Sequence, residues 1–348
     1  MTTKVRLTSG LLVLMLLTLL VVGACAAPAP ATPAAKWRFQ STVSPDGQVQ
    51  KYLVDKFIEL VNQRLKGKLE IEGFLRDAIV KRAEAFDATR KGIIEASLNI
   101  GTDYASVFPE GNVEFGLTMS LLDLPMANDF YYKYQGGAFF KMLDEAYKER
   151  GLHLLSLNAY TNSLLLKFPM NKVEDMKGKK IRVVGLPTTL VKNMGGVPVN
   201  LSAAEMYTAL QRGTVDGTIY PPYGLITSSL HEVVSYHIVP SIGVQGQNIV
   251  VNAEAFNKLP ADVKKVLEDT AIEANAYYTK EYDAAEAADI KTAETKYGIK
   301  TITLPKEEVA KMLQAALPSW DEVAAKSPRC GALVDLTRSY LKEKGLLK

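Results

Sequence analysis

Residues 180–219 read KIRVVGLPTTLVKNMGGVPVNLSAAEMYTALQRGTVDGTI, and this stretch decides the fold. Lys180 to Gly185 carries a β-branched run, as a strand does, and meets a Gly-Leu-Pro turn. Thr188 to Met194 is a short helix closed by Gly195-Gly196, and Val197-Pro198-Val199 is a brief strand. Ser202 followed three residues later by Glu205 is a capping box, which opens a helix from Ala203 to Arg212. Gly213 stops it, and Val215 to Ile219 is the next strand. Strand, helix, strand, helix, strand in so short a span predicts a mostly parallel sheet covered by helices.

The rhythm extends upstream. Trp37–Ser41, Leu69–Phe74, Glu95–Ile100 and Leu152–Leu157 read as strands. Val49–Leu65, Ala83–Lys91 and Tyr131–Arg150 read as helices, the last two ending at Gly92 and Gly151. Downstream, Ala261 to Tyr297 holds no Gly or Pro, and its apolar residues recur at helical spacing. At 1.5 Å per residue that helix is roughly 50 Å long, more than one domain needs and enough to brace two.

The whole chain has 348 residues, about right for two domains. Lys and Arg number 41 and Asp and Glu 38. Lys4 and Arg6 precede residue 25, where there are no acids, so the remainder is close to neutral. Such a balance offers no field for nucleic acid. Three His and two Cys leave few ligands for a zinc or transition-metal site, and no cofactor motif is present. There is no Gly-x-Ser-x-Gly elbow, dinucleotide fingerprint or phosphate-binding loop. His153 reads as a satisfied core residue, His231 and His237 stand alone, and Asp144-Glu145 and Glu268-Asp269 read as solvated helix faces.

The N-terminus reads as targeting sequence. A basic start, an apolar run from Leu11 to Val22 too short to span a bilayer, and Val22-Gly23-Ala24-Cys25 form a secretory signal. Its end is similar to bacterial lipoprotein signals, which implies a signal peptide over 1–24 and lipidation of Cys25. A plain secretory cleavage near an Ala is the alternative. Residues 25–35, rich in Pro and Ala, read as a tether. If Cys25 carries lipid, Cys330 has no disulfide partner.

Asp175 to Val183, Met194 to Val199 and Glu205-Met206-Tyr207-Thr208-Ala209-Leu210-Gln211-Arg212-Gly213-Thr214-Val215-Asp216-Gly217 together resemble the solute-binding proteins of TRAP (tripartite ATP-independent periplasmic) transporters. The resemblance runs from about Trp37 to the end, with weaker echoes at Thr89–Gly92, Leu124-Pro125 and Val251-Asn252. It implies an α/β, two-lobe periplasmic-binding-protein fold of the Venus-flytrap kind, with crossing strands and a long bracing helix. The expected lobes are 36–159 plus 247–285, and 160–246 plus 286–348. It implies capture of a small organic acid by lobe closure and delivery to TRAP membrane subunits; the lipoprotein-like signal in turn implies a lipid on Cys25 that anchors the receptor at the periplasmic or cell-surface face of the membrane. A sensing module without a transporter, or an enzyme acting on an organic acid, are the other readings. Some members bridge the carboxylate with a metal ion; no residue here decides that, and no metal ligands are assigned.

Arg182 matches the family's ligand-binding arginine, and its planar fork of donors suits a carboxylate. Tyr220 matches a position at which members place a contacting side chain. Asn162 stands where some members carry a second Arg, which puts the sialic-acid type of site in doubt; it and Tyr160 remain candidates as amide and hydroxyl. Ligands gather at strand ends in α/β folds, which adds Ser44, Thr102 and Asp103. Asn248, near an expected crossing, is a further candidate, and Tyr104, Tyr220 and Tyr223 read equally as an aromatic wall or as core.

Overall fold

The computed structural model describes residues 35–347. The signal peptide, Cys25 and all but the last residue of the tether lie outside the described residues. Nine strands form one sheet: β1 (Ala35–Ser41), β2 (Leu69–Phe74), β3 (Ala96–Asn99), β4 (Leu152–Leu166), β5 (Lys180–Arg182), β6 (Val197–Val199), β7 (Gly217–Tyr220), β8 (Tyr236–Asn252) and β9 (Lys300–Thr303). Their order is β2-β1-β3-β8-β4-β7-β5-β6, with β9 on β8. β2, β1 and β3 are mutually parallel, as are β7, β5 and β6. Between these trios run β4 and β8, antiparallel to each other, with β8 antiparallel to β3 and β4 to β7; β9 lies parallel to β8.

The sheet is parallel in its two trios, as the strand–helix rhythm predicts, and antiparallel at its centre, for a topological reason. β4 enters the sheet beside the first trio and leaves it beside the second; β8 makes the return journey. At one end Leu157 faces Asn248, which in turn faces Asn99; at the other Leu165 faces His237 and Thr218. Two strands thus belong to both halves, and each buries both faces. Their sequences therefore lack the alternation that marks a half-exposed strand, so β4 continues nine residues past the Leu157 end that its apolar run suggests.

The helix Ala261–Tyr297 has the bounds expected for it, and Gly298 ends it in the left-handed conformation (φ 75°). It packs on the helix Asp55–Arg64, crosses β4 and reaches the turn Gly224–Thr227, so it touches both halves. Arg64 pairs with Glu273 at 2.8 Å, Asn275 donates to Asn128 at 2.9 Å, and Tyr278 Oη donates to the Ala159 carbonyl at 2.9 Å. Near the C-terminal end of this helix, Ala293 joins Leu165, Leu210, Leu225 and Leu230 in a small apolar core of the second half. The last helix, Pro328–Glu343, returns to the first half, where the Tyr340 ring packs tilted on Phe130 and its hydroxyl donates to Asp129.

The helix expected over 131–150 is two. Leu124–Tyr132 ends early, and Ala138–Lys148 begins after a break where Gln135, Gly136 and Gly137 all have positive φ. The Gly pair is a helix stop in mid-pattern. Asp144 is also not a solvated face. It is buried, accepts from the Leu154 amide at 3.1 Å, and with Glu268 brackets the His153 ring, which lies on Phe256. His153 is thus a satisfied core residue.

Candidate ligand-binding cleft

A cleft of about 450 Å³ opens between the two strand trios. Its first wall is made at the C-terminal ends of β1, β2 and β3, by Ser44, Arg76, Arg82, Thr102 and Asp103. Its second wall is made at the C-terminal ends of β5, β6 and β7, by Arg182, Val184, Ser202 and Tyr220, with Tyr223 just beyond. Tyr160 and Asn162 of β4 and Gln245 of β8 form the base. Each wall follows the rule that open α/β sheets gather ligands beyond the carboxyl ends of parallel strands.

Arg182 is the last residue of β5 and only 7% exposed. Its Nε donates to the Leu201 carbonyl at 2.9 Å and its Nη1 to the Ile219 carbonyl at 3.3 Å. Among the described residues no carboxylate lies within ion-pair distance of it. Burial pushes its pKa down from the ordinary arginine value, while the nearby Tyr220 and Tyr160 hydroxyls oppose this. Two carbonyls therefore orient a buried cation and leave part of its fork undirected, an arrangement that is costly without an anion. Beside it in the base, the Asn162 amide nitrogen is buried with no partner. Spare donors thus lie on the second wall and the base of one cavity, where a carboxylate would meet both.

On the first wall Arg82 grips Asp103 through two bonds, Nε to Oδ2 at 2.6 Å and Nη2 to Oδ1 at 3.0 Å. Burial works against the Arg82 charge, but the Asp103 bonds and charge outweigh it and hold the guanidinium pKa up. Asp103 is thus committed to Arg82. Burial also pushes the Tyr160 and Tyr223 hydroxyls well up, so both stay protonated donors. Tyr220 and Tyr223 meet edge to face at 6.3 Å and form an aromatic side of the cleft.

Eight candidates, Ser44, Thr102, Asp103, Tyr160, Asn162, Arg182, Tyr220 and Tyr223, line this one cavity. Asn248 does not. Its side chain, on β8, is fully buried, and its amide donates to Glu114 and the hydroxyls of Tyr104 and Tyr147. Tyr104 belongs to that cluster, stacked on Phe86 at 4.1 Å, and is core rather than cleft wall. Arg76, Arg82 and Gln245 are absent from the sequence-based set. The strand-end rule that found Ser44 and Thr102 applies equally to the segment after Phe74, so Arg76 was within its reach. Cys330 is buried, and burial pushes its thiol pKa up. Among the described residues no three His, Cys, Asp or Glu side chains converge as metal ligands, and no helix is long and apolar enough to cross a membrane.

Residues 39–327 match the family model for bacterial extracellular solute-binding proteins, family 7. The C4-dicarboxylate-binding periplasmic protein DctP of Rhodobacter capsulatus is 28% identical over 299 residues, covering 83% of this chain and 86% of the relative. A TRAP periplasmic solute-binding protein from Rhodobacter sphaeroides, in an open form without ligand, superposes with a TM-score of 0.78 at 22% identity over 90% of this chain and 99% of its own. One from Sulfitobacter with bound β-D-galacturonate superposes at 0.72, with 22% identity over 87% and 99%.

Proposed function

The chain belongs to the bacterial extracellular solute-binding proteins of family 7, and on that premise we propose that its cleft captures a small organic acid by its carboxylate. The family is one of transport receptors, not enzymes. The carrying observation is Arg182, a buried guanidinium held by two carbonyls with no acid beside it. Asn162, Tyr160, Tyr220 and Tyr223 supply the remaining donors and the aromatic side; Ser44, Thr102 and Asp103 face them from the other wall. Relatives described as binding a C4-dicarboxylate or β-D-galacturonate support an acid as cargo.

The lobes in this reading are 36–159 plus 247–285, and 160–246 plus 286–348, with the last helix lying back on the first lobe. β4, β8 and the long helix join them, and closure about these elements buries the acid and presents a new surface to TRAP membrane subunits. Cys25 carries a lipid that anchors the receptor outside the cytoplasmic membrane, the prolines that follow acting as a tether. Detergent-phase partitioning lost in Cys25→Ala supports the anchor; unchanged partitioning excludes it.

The test of the cleft is a thermal-shift screen of organic acids followed by calorimetry. A ligand at 100 times its Kd stabilises by about 2.7 kcal/mol. Arg182→Ala is expected to fold and to weaken binding by about 2–5 kcal/mol, since the carboxylate would be left unpaired in a closed site. Unchanged affinity would overturn the assignment. Uptake by vesicles carrying the membrane subunits, only when the receptor is present, separates transport from sensing.

A further inference from the structure

Behind the cleft base lies a buried acid that no cation answers. Glu286, on the helix Ala261–Tyr297, is only 8% exposed. Among the described residues no Lys, Arg or His comes within ion-pair distance of it. The charged groups around it are acids. Asp283 and Asp289 lie about one turn to either side on the same helix. Asp289 accepts from Gln48, in the segment that brings Ser44 and Val49 to the cleft, at 3.2 Å. Asp123, which caps the helix Leu124–Tyr132, adds its charge beside Asp283. The other facing groups are hydroxyls: Thr161 of β4, Tyr278 and Tyr282 of the same helix, and Tyr223 of the cleft, whose ring meets Tyr282 edge to face at 6.1 Å. Burial keeps all three phenols protonated.

The contact with Thr161 calls for a proton on this acid. Both Glu286 oxygens lie against the single Thr161 hydroxyl. A hydroxyl has one proton to give, so an ionised Glu286 would have one oxygen served and the other buried without a donor. A protonated carboxyl satisfies both contacts, because it donates back to Thr161 Oγ. Burial, with Asp283 and Asp289 adding to it, raises the pKa to about 7, in the same sense. Thr161 in turn stands between Tyr160 and Asn162, the two β4 residues that line the cleft. An anion seated on them is a like charge close behind which Glu286 sits, and a like charge favours the neutral form of an acid.

Resting on the carboxylate reading of Arg182, we propose that Glu286 is a positioning residue: protonated, it holds Thr161 and through it the cleft base, and capture of an anionic ligand draws a proton from solvent onto the Glu286 carboxyl. Proton and ligand then favour each other reciprocally. The neutral acid ties β4 to the long helix; the ionised acid repels the ligand and gives up its bond back to Thr161. Affinity is therefore highest below the range in which Glu286 titrates and falls as pH rises through it.

Calorimetry between about pH 6 and about pH 8.5 with D-galacturonate, pyroglutamate, pyruvate and L-malate tests this, since these acids are themselves ionised over that range. For any that binds, affinity is expected to fall about three- to tenfold across it, up to the effect of one pKa unit. Near neutral pH, binding heats measured in Pipes and in Tris should differ by the uptake of a fraction of a proton. Glu286→Gln keeps the shape and can still donate to Thr161, so it should bind like the protonated wild type at every pH and take up no proton. Glu114→Gln is the control. It removes the other buried acid raised to about pKa 7, which Asn248, Tyr104 and Tyr147 enclose next to the cleft residue Phe115, and it should keep the wild-type pH profile. A flat profile in the wild type, a profile that survives Glu286→Gln, or one lost in Glu114→Gln overturns the inference, while binding that is lost in Arg182→Gln upholds the carboxylate site. If no acid binds, or binding ignores Arg182→Gln, the carboxylate reading fails and the inference with it.

Discussion

At the residue scale the proposed chemistry turns on how Arg182 is held. Its Nε and Nη1 are fixed by carbonyls of Leu201 and Ile219, so the plane of the guanidinium is set before any ligand arrives. Preorganisation of this kind lowers the ordering cost of binding. Lysine keeps the charge but cannot reproduce two parallel bonds while also meeting those carbonyls. Arg182→Lys is therefore expected to bind the native acid on the order of tenfold more weakly, between wild type and Arg182→Ala; equal affinity for the Lys and wild-type proteins would refute the fork geometry. A second buried group makes a pH statement. Glu286, on the long helix, accepts from the Thr161 hydroxyl, and burial, reinforced by Asp283 and Asp289, raises its pKa to about 7. Unfolded, it titrates near the ordinary 4.5. Between those values the native state keeps a proton that the unfolded chain has lost, so stability falls as pH rises through the window and is flat above it. Glu114 acts in the same direction. Glu286→Gln should flatten part of that fall, measured as denaturation midpoints at about pH 5 and pH 7.5; identical slopes in both proteins would show that Glu286 is ionised throughout. Arg182 was legible because motif and strand end coincide there. Asn248 was not, because neighbouring residues of a strand point to opposite faces. With both faces of β8 buried, no hydropathy alternation tells Gln245, at the cleft base, from Asn248, in the core.

At the element scale the two crossing strands are held by close backbone contact as well as by side chains. Gly246 of β8 lies against the helix Gly111–Phe115, where an added Cβ would come within 2.0 Å of the Glu114 carbonyl oxygen. The obstacle is backbone, so the helix or the strand must shift. Both carry cleft residues, Phe115 and Gln245. Gly246→Ala is expected to destabilise by about 1–3 kcal/mol and to weaken ligand binding, although Gly246 touches no ligand position. A thermal scan with calorimetry tests both, and a variant as stable and as tight-binding as wild type would mean the contact is slack. The long helix was readable to its ends because propensity, the absence of Gly and Pro, and a terminal Gly298 all agree. The break at Gln135–Gly137 was misread because apolar periodicity resumes in phase after it, hiding the Gly pair inside one apparent helix.

At the scale of the molecule, two parallel trios are joined by two antiparallel strands and one 37-residue helix. Motion of the halves must concentrate in these connections. β4 carries a register irregularity between Asn162 and Leu164, at the cleft base, where the ladder is already interrupted and bending costs least. On the outer side of the same turn of β4, Thr161 meets Glu286 of the long helix, while Tyr160 and Asn162 face the cleft. Ligand contacts and the contact with the brace thus alternate along three consecutive residues. On the proposed reading, a carboxylate held by Arg182 and Asn162 would act on β4 at its bend, and closure would bury the pair. Small-angle scattering should show the radius of gyration fall when a saturating acid is added to the wild-type receptor. The same acid at the same concentration should leave Arg182→Ala extended. Compaction of the Arg182→Ala protein at matched occupancy would show that closure is driven by the rest of the cleft, and that Arg182 serves affinity without acting on the hinge.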